Sequence, residues 1–385
     1  MMALTVCACG NSHAVVKEAR TDMATAATVK AKDTGRTTKT LPLDGFTGIS
    51  SAGNIRLTVR QGKSFSVKAS ATEELWEKMD ISVENGTLNI RLKNEKNKNT
   101  VMVTGDSPTM TVEVSCPQID RISCAGVGSA DIGPIESRRE LSISLGGNLH
   151  STVGDIRAEG VKITKGGVGK LTLSNINAGK EYLDLSIGGN SQVETGNMCA
   201  GIILIKKSGV GKLNVGNVIA NGGPFELNLG GNHHTTIGNI FAEGVKIAKG
   251  GMGELSLGNI NAGSKSLVLS VGGNSKIMLK DVAAAGMTAN LGGVSKFVAE
   301  KITLGDKDMT LNVGGNQQLT TSTITANAVT VKRSGVGSVT IDVHCRKLNI
   351  DHGGHSGIKV TGESDNVEIK GGGITNVDTS GLNNF

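Results

Sequence analysis

Aromatic side chains are almost missing from this chain, with one Trp, one Tyr and six Phe in 385 residues. Stacking platforms for nucleic-acid bases are correspondingly scarce, so nucleic acid is not an expected partner. No stretch approaches the 18 or so apolar residues of a membrane-spanning helix. The six cysteines form no disulfide framework. Cys7 and Cys9 sit near the N-terminus, while Cys116, Cys124, Cys199 and Cys345 are scattered, which fits free, buried thiols. The carboxylates of the central region, such as Asp155, Glu159, Asp184, Glu194, Glu243 and Asp281, are dispersed and include no Asp-Asp pair. Carbohydrate-cleaving enzymes need two carboxylates close together, so no catalytic residues are assigned and the chain is not expected to be an enzyme. A polysaccharide lyase or hydrolase remains the alternative reading. Calcium-binding repeats of the Gly-Gly-x-Gly-x-Asp type are absent, and no cofactor is expected.

What is present is a repeat. Gly-Gly-Asn recurs five times at a spacing of 42, ending at Asn148, Asn190, Asn232, Asn274 and Asn316. Half a period away stands a second signature, Gly167-Val168-Gly169, Gly209-Val210-Gly211, Gly251-Met252-Gly253, Gly293-Val294-Ser295 and Gly335-Val336-Gly337. Between these, apolar residues alternate, as in Leu141-Ser142-Ile143-Ser144-Leu145, the period of a strand with one buried face. Three apolar columns recur in phase, headed by Leu145, Leu171 and Ile156. Stacked units of about 21 residues, paired into a 42-residue repeat, predict an all-β chain folded as a parallel β-helix solenoid. Its hand is taken as right-handed from the chirality of parallel crossovers. The Trp-Asp signature of propeller blades is missing, and so are the spacing and helical returns of leucine-rich repeats. The in-register asparagines Asn148, Asn190, Asn232, Asn274 and Asn316 are expected to stack as an amide ladder, each side chain bonding the next. Asn175, Asn217 and Asn259 form a second column.

The ends differ from the repeat. Residues 1–10 contain Val6-Cys7-Ala8-Cys9, lipobox-like and without the usual basic and long apolar regions. They read as the remnant of a lipoprotein signal, with Cys9 as the lipidated residue and Cys7 as the alternative. Residues 11–40, rich in Ala, Thr and Lys, read as a flexible tether. Residues 41–122 carry strand patterns, a short helix around Trp76 and an Asn85-Gly86 hairpin turn, and are expected to cap the solenoid of residues 123–385.

Within that N-terminal section Phe46-x-x-Ile49, the Arg60-Gln61-Gly62 turn, Val83-Glu84-Asn85-Gly86-Thr87-Leu88 and the later strand with Pro117 resemble the head GIN domain family of auto-transporter adhesin type. The resemblance extends over roughly residues 41–385. It implies a β-helical, exported protein, in many members an envelope lipoprotein of a Gram-negative bacterium. It brings no catalytic residues with it.

The net charge is +6, and part of it is ordered. Lys165, Lys207, Lys249 and Arg333 hold equivalent positions beside the Gly-Val-Gly signature, with Leu291 breaking the column. Lys170 and Lys212, with Lys296, form a partial second column interrupted by Glu254. Equivalent positions lie two turns apart, about 10 Å. Such columns are read either as a stripe facing an extended polyanion or as a solvated face that discourages edge aggregation. His352 and His355 in Asp351-His352-Gly353-Gly354-His355 are the one weak candidate for a metal; otherwise the segment is a turn in a degenerate terminal unit. The functional expectation is a non-catalytic exported binding module, lipid-anchored in the cell envelope, that offers flat faces to an acidic glycan, an envelope polymer or a surface protein. A purely structural envelope protein is the further alternative.

Overall fold

The computed structural model describes residues 35–93 and 109–383. Cys7, Cys9, most of the tether and the charged segment after Lys93 lie outside them.

Alternation of apolar and polar residues builds the whole body. Each turn of the repeat is three short strands, for example Leu141–Leu145, Asn148–Val153 and Ile156–Arg157. The next turn repeats them as Val161–Lys165, Val168–Leu173 and Ile176–Asn177. Strands of successive turns pair in parallel and in register, so Leu145 lies beside Lys165 and Lys165 beside Ile187. The result is a β-solenoid of about 13 turns with three strand faces. The inward residues of all three faces merge into one continuous apolar core; Ile143, Ile163, Leu171, Ile176 and Leu185 are each no more than 1% exposed.

The 42-residue period resolves into unequal turns of 20 and 22 residues, as the register Asn148–Val168–Asn190–Val210 shows. The two extra residues fall at the corner between the third and first faces, where Ala178–Glu181 bulges beyond its counterparts on the neighbouring turns. Past Val336 the turns shorten to 19, with His355 and then Ile374 in the same column.

At the N-terminal end the strands are β1 (Arg36–Leu41), β2 (Gly48–Gln61), β3 (Ser66–Thr72), β4 (Met79–Glu84), β5 (Thr87–Leu92), β6 (Met110–Cys116) and β7 (Arg121–Ile132), with the helix α1 (Glu73–Lys78) after β3. β2 pairs with β7 from Gly48 to Val59 in parallel and is itself the first turn of the solenoid. On its other side β5 and β6 lie parallel to its two halves. Antiparallel pairing then takes over, β4 on β5, β3 on β6 and β1 on β3, so the stack ends in a layer of different geometry. The β4–β5 turn has positive φ at both Asn85 (49°) and Gly86 (70°), the conformation a two-residue hairpin of this twist requires. Trp76 anchors β1, its indole donating to the Thr37 carbonyl at 3.0 Å while the Lys39 ammonium stands 4.5 Å over the ring. Two boundaries therefore move. Arg36–Thr40, expected in the tether, are strand, because β3 offers them a paired edge; and solenoid pairing starts at Gly48, well before residue 123.

The expected amide ladder through Asn148, Asn190, Asn232, Asn274 and Asn316 does not form. Each of these asparagines lies between turns that carry Val168, Val210, Met252 or Val294 at the same position. The amides are therefore about 10 Å apart and cannot bond one another. The true ladder runs through the second column, which every turn from Asn175 to Asn259 supplies. Asn197 N–H donates to the Asn175 side-chain oxygen at 3.0 Å, Asn217 to Asn197 at 2.9 Å, Asn239 to Asn217 at 2.9 Å and Asn259 to Asn239 at 3.0 Å. Asp155 starts the series by accepting from the Asn175 N–H at 3.0 Å. These bonds satisfy the one backbone donor per turn that the corner frees from strand pairing.

Candidate functional site

The corner between the first and second faces is built from the Gly-Gly pair, and its two glycines have different reasons to be there. At the second, such as Gly251, φ is +74° and an added Cβ would stand 2.2 Å from the Gly231 carbonyl of the turn below. Only glycine fits. At the first, such as Gly272, φ is not positive and an added Cβ would meet nothing within 4 Å. Gly166, Gly230 and Gly353 are equally unconstrained. Neither backbone conformation nor packing demands these glycines, and their repetition leaves the corner bare of side chains except at Ser208 and Ser334, which hold the same position in their turns.

A groove follows this bare corner. One stretch of ≈ 860 Å³ extends from Lys206 to Gly292 and the next, of ≈ 570 Å³, from Asn312 to Gly353. Asn290 and Asn312 are register partners, so the two stretches lie end to end on successive turns. Together they run over eight turns, about 34 Å. The first-face wall is Asn228, Ala248, Ser270, Asn290 and Asn312 in the middle, with Lys206 at one end and Lys332 and Asp351 at the other. Asn312 donates to the Asn290 amide oxygen at 2.7 Å, which ties two of these turns together. On the second-face side, half-exposed Val210, Met252, Val294 and Val336 alternate with exposed Asn232, Asn274 and Asn316. Three of the asparagines expected to be a structural ladder are thus an outward row beside the groove.

Beneath the corner lie the four cations expected on a solvated or polyanion-facing stripe. Lys165, Lys207, Lys249 and Arg333 are 0%, 1%, 2% and 2% exposed, so that expectation is corrected. Strand parity explains it: Val161, Ile163 and Lys165 share one side of their strand, and that side faces the core. Each cation takes backbone carbonyls of its own corner or of the preceding turn as partners. Lys165 Nζ donates to Gly166 O at 2.7 Å and Val168 O at 3.2 Å, and Lys249 Nζ to Met252 O at 3.4 Å. Lys207 Nζ reaches Ser191 O at 3.5 Å, and Arg333 bonds the carbonyls of Val313, Ser334 and Val336. Burial pushes the pKa of all three lysines below the ordinary lysine range and that of Arg333 below its own. The column is coupled to the glycine after it: where Leu291 replaces the cation, Ser295 replaces the glycine.

His233 lies in the same interior between Lys207 and Lys249. It is 2% exposed, its Nδ1 is 3.1 Å from Thr235 Oγ1 and its Nε2 has no partner among the described residues. Burial first, then the neighbouring Lys249 and Lys207, push its pKa down to about 4.

The second lysine column does face outward. Lys170 pairs with Glu194 at 2.8 Å, and Lys276 with Glu254 at 3.0 Å. Lys212 and Lys296 are exposed and have no ion pair among the described residues. Lys276, Lys206 and Lys332 had no place in the sequence reading, although their column positions could have shown them. His352 and His355 stand on opposite sides of the bare corner, the first in register with Arg333 and the second exposed, and do not converge. Among the described residues no group of three His, Cys, Asp or Glu is arranged to hold a metal ion.

The groove is long and open, and the carboxylates beside it, Glu194 and Glu254, are tied to lysines. Residues 45–221 match the model of the family described as "Putative auto-transporter adhesin, head GIN domain". The match stops inside the repeat, although parallel pairing continues to Asn383. Among solved structures, a putative adhesin from Bacteroides fragilis is 17% identical with a TM-score of 0.30, covering 69% of this chain and 96% of its own. A putative adhesin from Parabacteroides merdae is 15% identical, TM-score 0.23, covering 90% and 97%. A structure described as a putative lipid binding protein from Parabacteroides distasonis is 12% identical, TM-score 0.23, covering 90% and 97%. Likeness at this level carries no functional conclusion. A search of the curated proteins finds no match.

Proposed function

We propose that the protein is an exported, non-catalytic binding module of the cell envelope that seats an extended polymer lengthwise in the Gly-Gly corner groove. The observation that carries this reading is the row of first glycines, which neither backbone conformation nor packing requires. Residues that cost conformational entropy and serve no folding purpose are best explained by something that must approach closely. The groove is open and repeated turn by turn, which suits a linear chain better than a compact ligand. An adhesin-type family is consistent with exposure at the cell surface. Attachment through a lipid on Cys9, or on Cys7, belongs to the same proposal.

The test is a Gly272→Leu variant, whose side chain enters open space in mid-groove. Its far-UV spectrum and denaturation midpoint should match the wild type. In a binding screen over linear glycans and envelope polymers, ligands of the wild-type protein should bind the variant at least tenfold more weakly. Unchanged binding in a folded variant would remove the groove from the account.

A further inference from the structure

The charges around the groove identify the kind of polymer. On its walls Lys206 and Lys332 are exposed and without an ion pair among the described residues; on the outward second face beside it the same is true of Lys212 and Lys296. Against them stand Asp351, and the carboxylates Glu194 and Glu254 already tied to Lys170 and Lys276. Under the floor, Lys207, Lys249 and Arg333 are bonded only to backbone carbonyls, with no carboxylate among the described residues to neutralise them. Their charged ends lie within hydrogen-bond distance of the corner's own backbone, one chain thickness below the groove. Buried charges are screened by salt far less than exposed ones, and low-dielectric walls focus a field of one sign along a cleft. One edge of the rod thus concentrates positive charge where the groove lies.

We infer that the polymer seated in this groove is an acidic linear polysaccharide, held by carboxylate or sulfate groups facing Lys206, Lys212, Lys296 and Lys332 over a floor made positive by the buried cations. This rests on the groove reading above. A polysaccharide fits better than a nucleic acid because the exposed aromatics Phe65, Tyr182 and Phe241 all lie off the groove, leaving bases nothing to stack on. The outward asparagines and hydroxyls supply hydrogen bonds suited to sugar hydroxyls, and the half-exposed valines suit the apolar faces of sugar rings.

The experiment uses the full chain with three probes of similar length: polygalacturonate, neutral dextran and single-stranded DNA, at 50 and 500 mM salt. Polygalacturonate should bind, weaken at least tenfold at the higher salt, and lose at least tenfold affinity in the Lys212→Gln/Lys296→Gln protein, whose changes are on exposed side chains. It should lose a similar factor in Gly272→Leu. Dextran bound as tightly as polygalacturonate, and released by Gly272→Leu, would overturn the acidic inference while leaving the groove reading intact. Polygalacturonate released by the lysine changes but still bound by Gly272→Leu would overturn the groove reading instead. DNA bound as tightly as polygalacturonate would overturn the assignment to a glycan.

Discussion

Replacing Lys165 by Met separates two opposed effects of a buried cation. The side chain is fully buried and donates two bonds, at 2.7 and 3.2 Å, to the carbonyls that turn the corner. Bonds from a charged donor contribute about 1.5–3 kcal/mol each, and a carbonyl left without a donor in the interior costs about 1–3 kcal/mol. Against this, removing the ammonium recovers part of a desolvation penalty of several kcal/mol, which is why some buried ions can be exchanged for apolar residues at no loss. For Lys165 two short bonds should win, with a net loss of about 1–3 kcal/mol. Lys249 has one bond at 3.4 Å, so Lys249→Met should be neutral or slightly stabilising. Urea denaturation followed by far-UV circular dichroism measures both. A pH series adds a check on sign. Because burial lowers the Lys165 pKa below its unfolded value, the unfolded state holds the proton more tightly. The stability this group contributes is fully present above the unfolded value, about 10.5, and declines as pH falls through the lowered one. The wild type should therefore gain stability on going from neutral pH toward 10.5, and Lys165→Met should gain less. A Lys165→Met protein as stable as the wild type, beside a destabilised Lys249→Met, would refute the reasoning.

His233 should make the middle of the rod sensitive to acid. Its pKa is about 4 when folded and near 6.5 when unfolded, so its contribution is complete above 6.5 and lost as pH falls toward 4, about 3 kcal/mol in all. His233→Ser, which restores the residue found at Ser191 and Ser275, should shift the acid-unfolding midpoint to lower pH; an unchanged midpoint would count against it. The two corner glycines should also respond differently to alanine. Gly251→Ala is expected to lose well over 2 kcal/mol, through positive φ and a 2.2 Å clash with backbone, whereas Gly272→Ala should stay within about 1 kcal/mol of the wild type. Thermal melts of the pair decide the matter, and equal losses would contradict the distinction drawn between them.

The fold was legible because its signals are periodic. The Leu145, Leu171 and Ile156 columns gave the stacking, and each lies buried on its own face. Where reading stopped short, the half-period was the reason. Columns aligned at 42 residues join every second turn, so Val168 and Val210 were not placed in one column with Asn148, Asn190 and Asn232, and Asn197 and Asn239 went unseen between Asn175, Asn217 and Asn259. Lys165 was assigned to the surface by its charge, although its two-residue spacing from Ile163 placed it on the core side. In this chain parity outweighs polarity, because the corner carbonyls offer an ammonium what water would. The groove could not be read at all. A Gly-Gly pair looks the same in sequence whether one glycine or both are required, and only the space around each Cβ tells them apart.

The most direct test of the central claim is where a bound polymer lies. Single-cysteine reporters at Ser270, on the groove wall, and at Asn261, on the third face, can carry an environment-sensitive fluorophore while polygalacturonate is titrated in. A polymer seated in the groove should give a saturable change at Ser270 and none at Asn261, with the Ser270 signal abolished by Gly272→Leu. Saturable change at Asn261 with a silent Ser270 would place the polymer on another face and contradict the account.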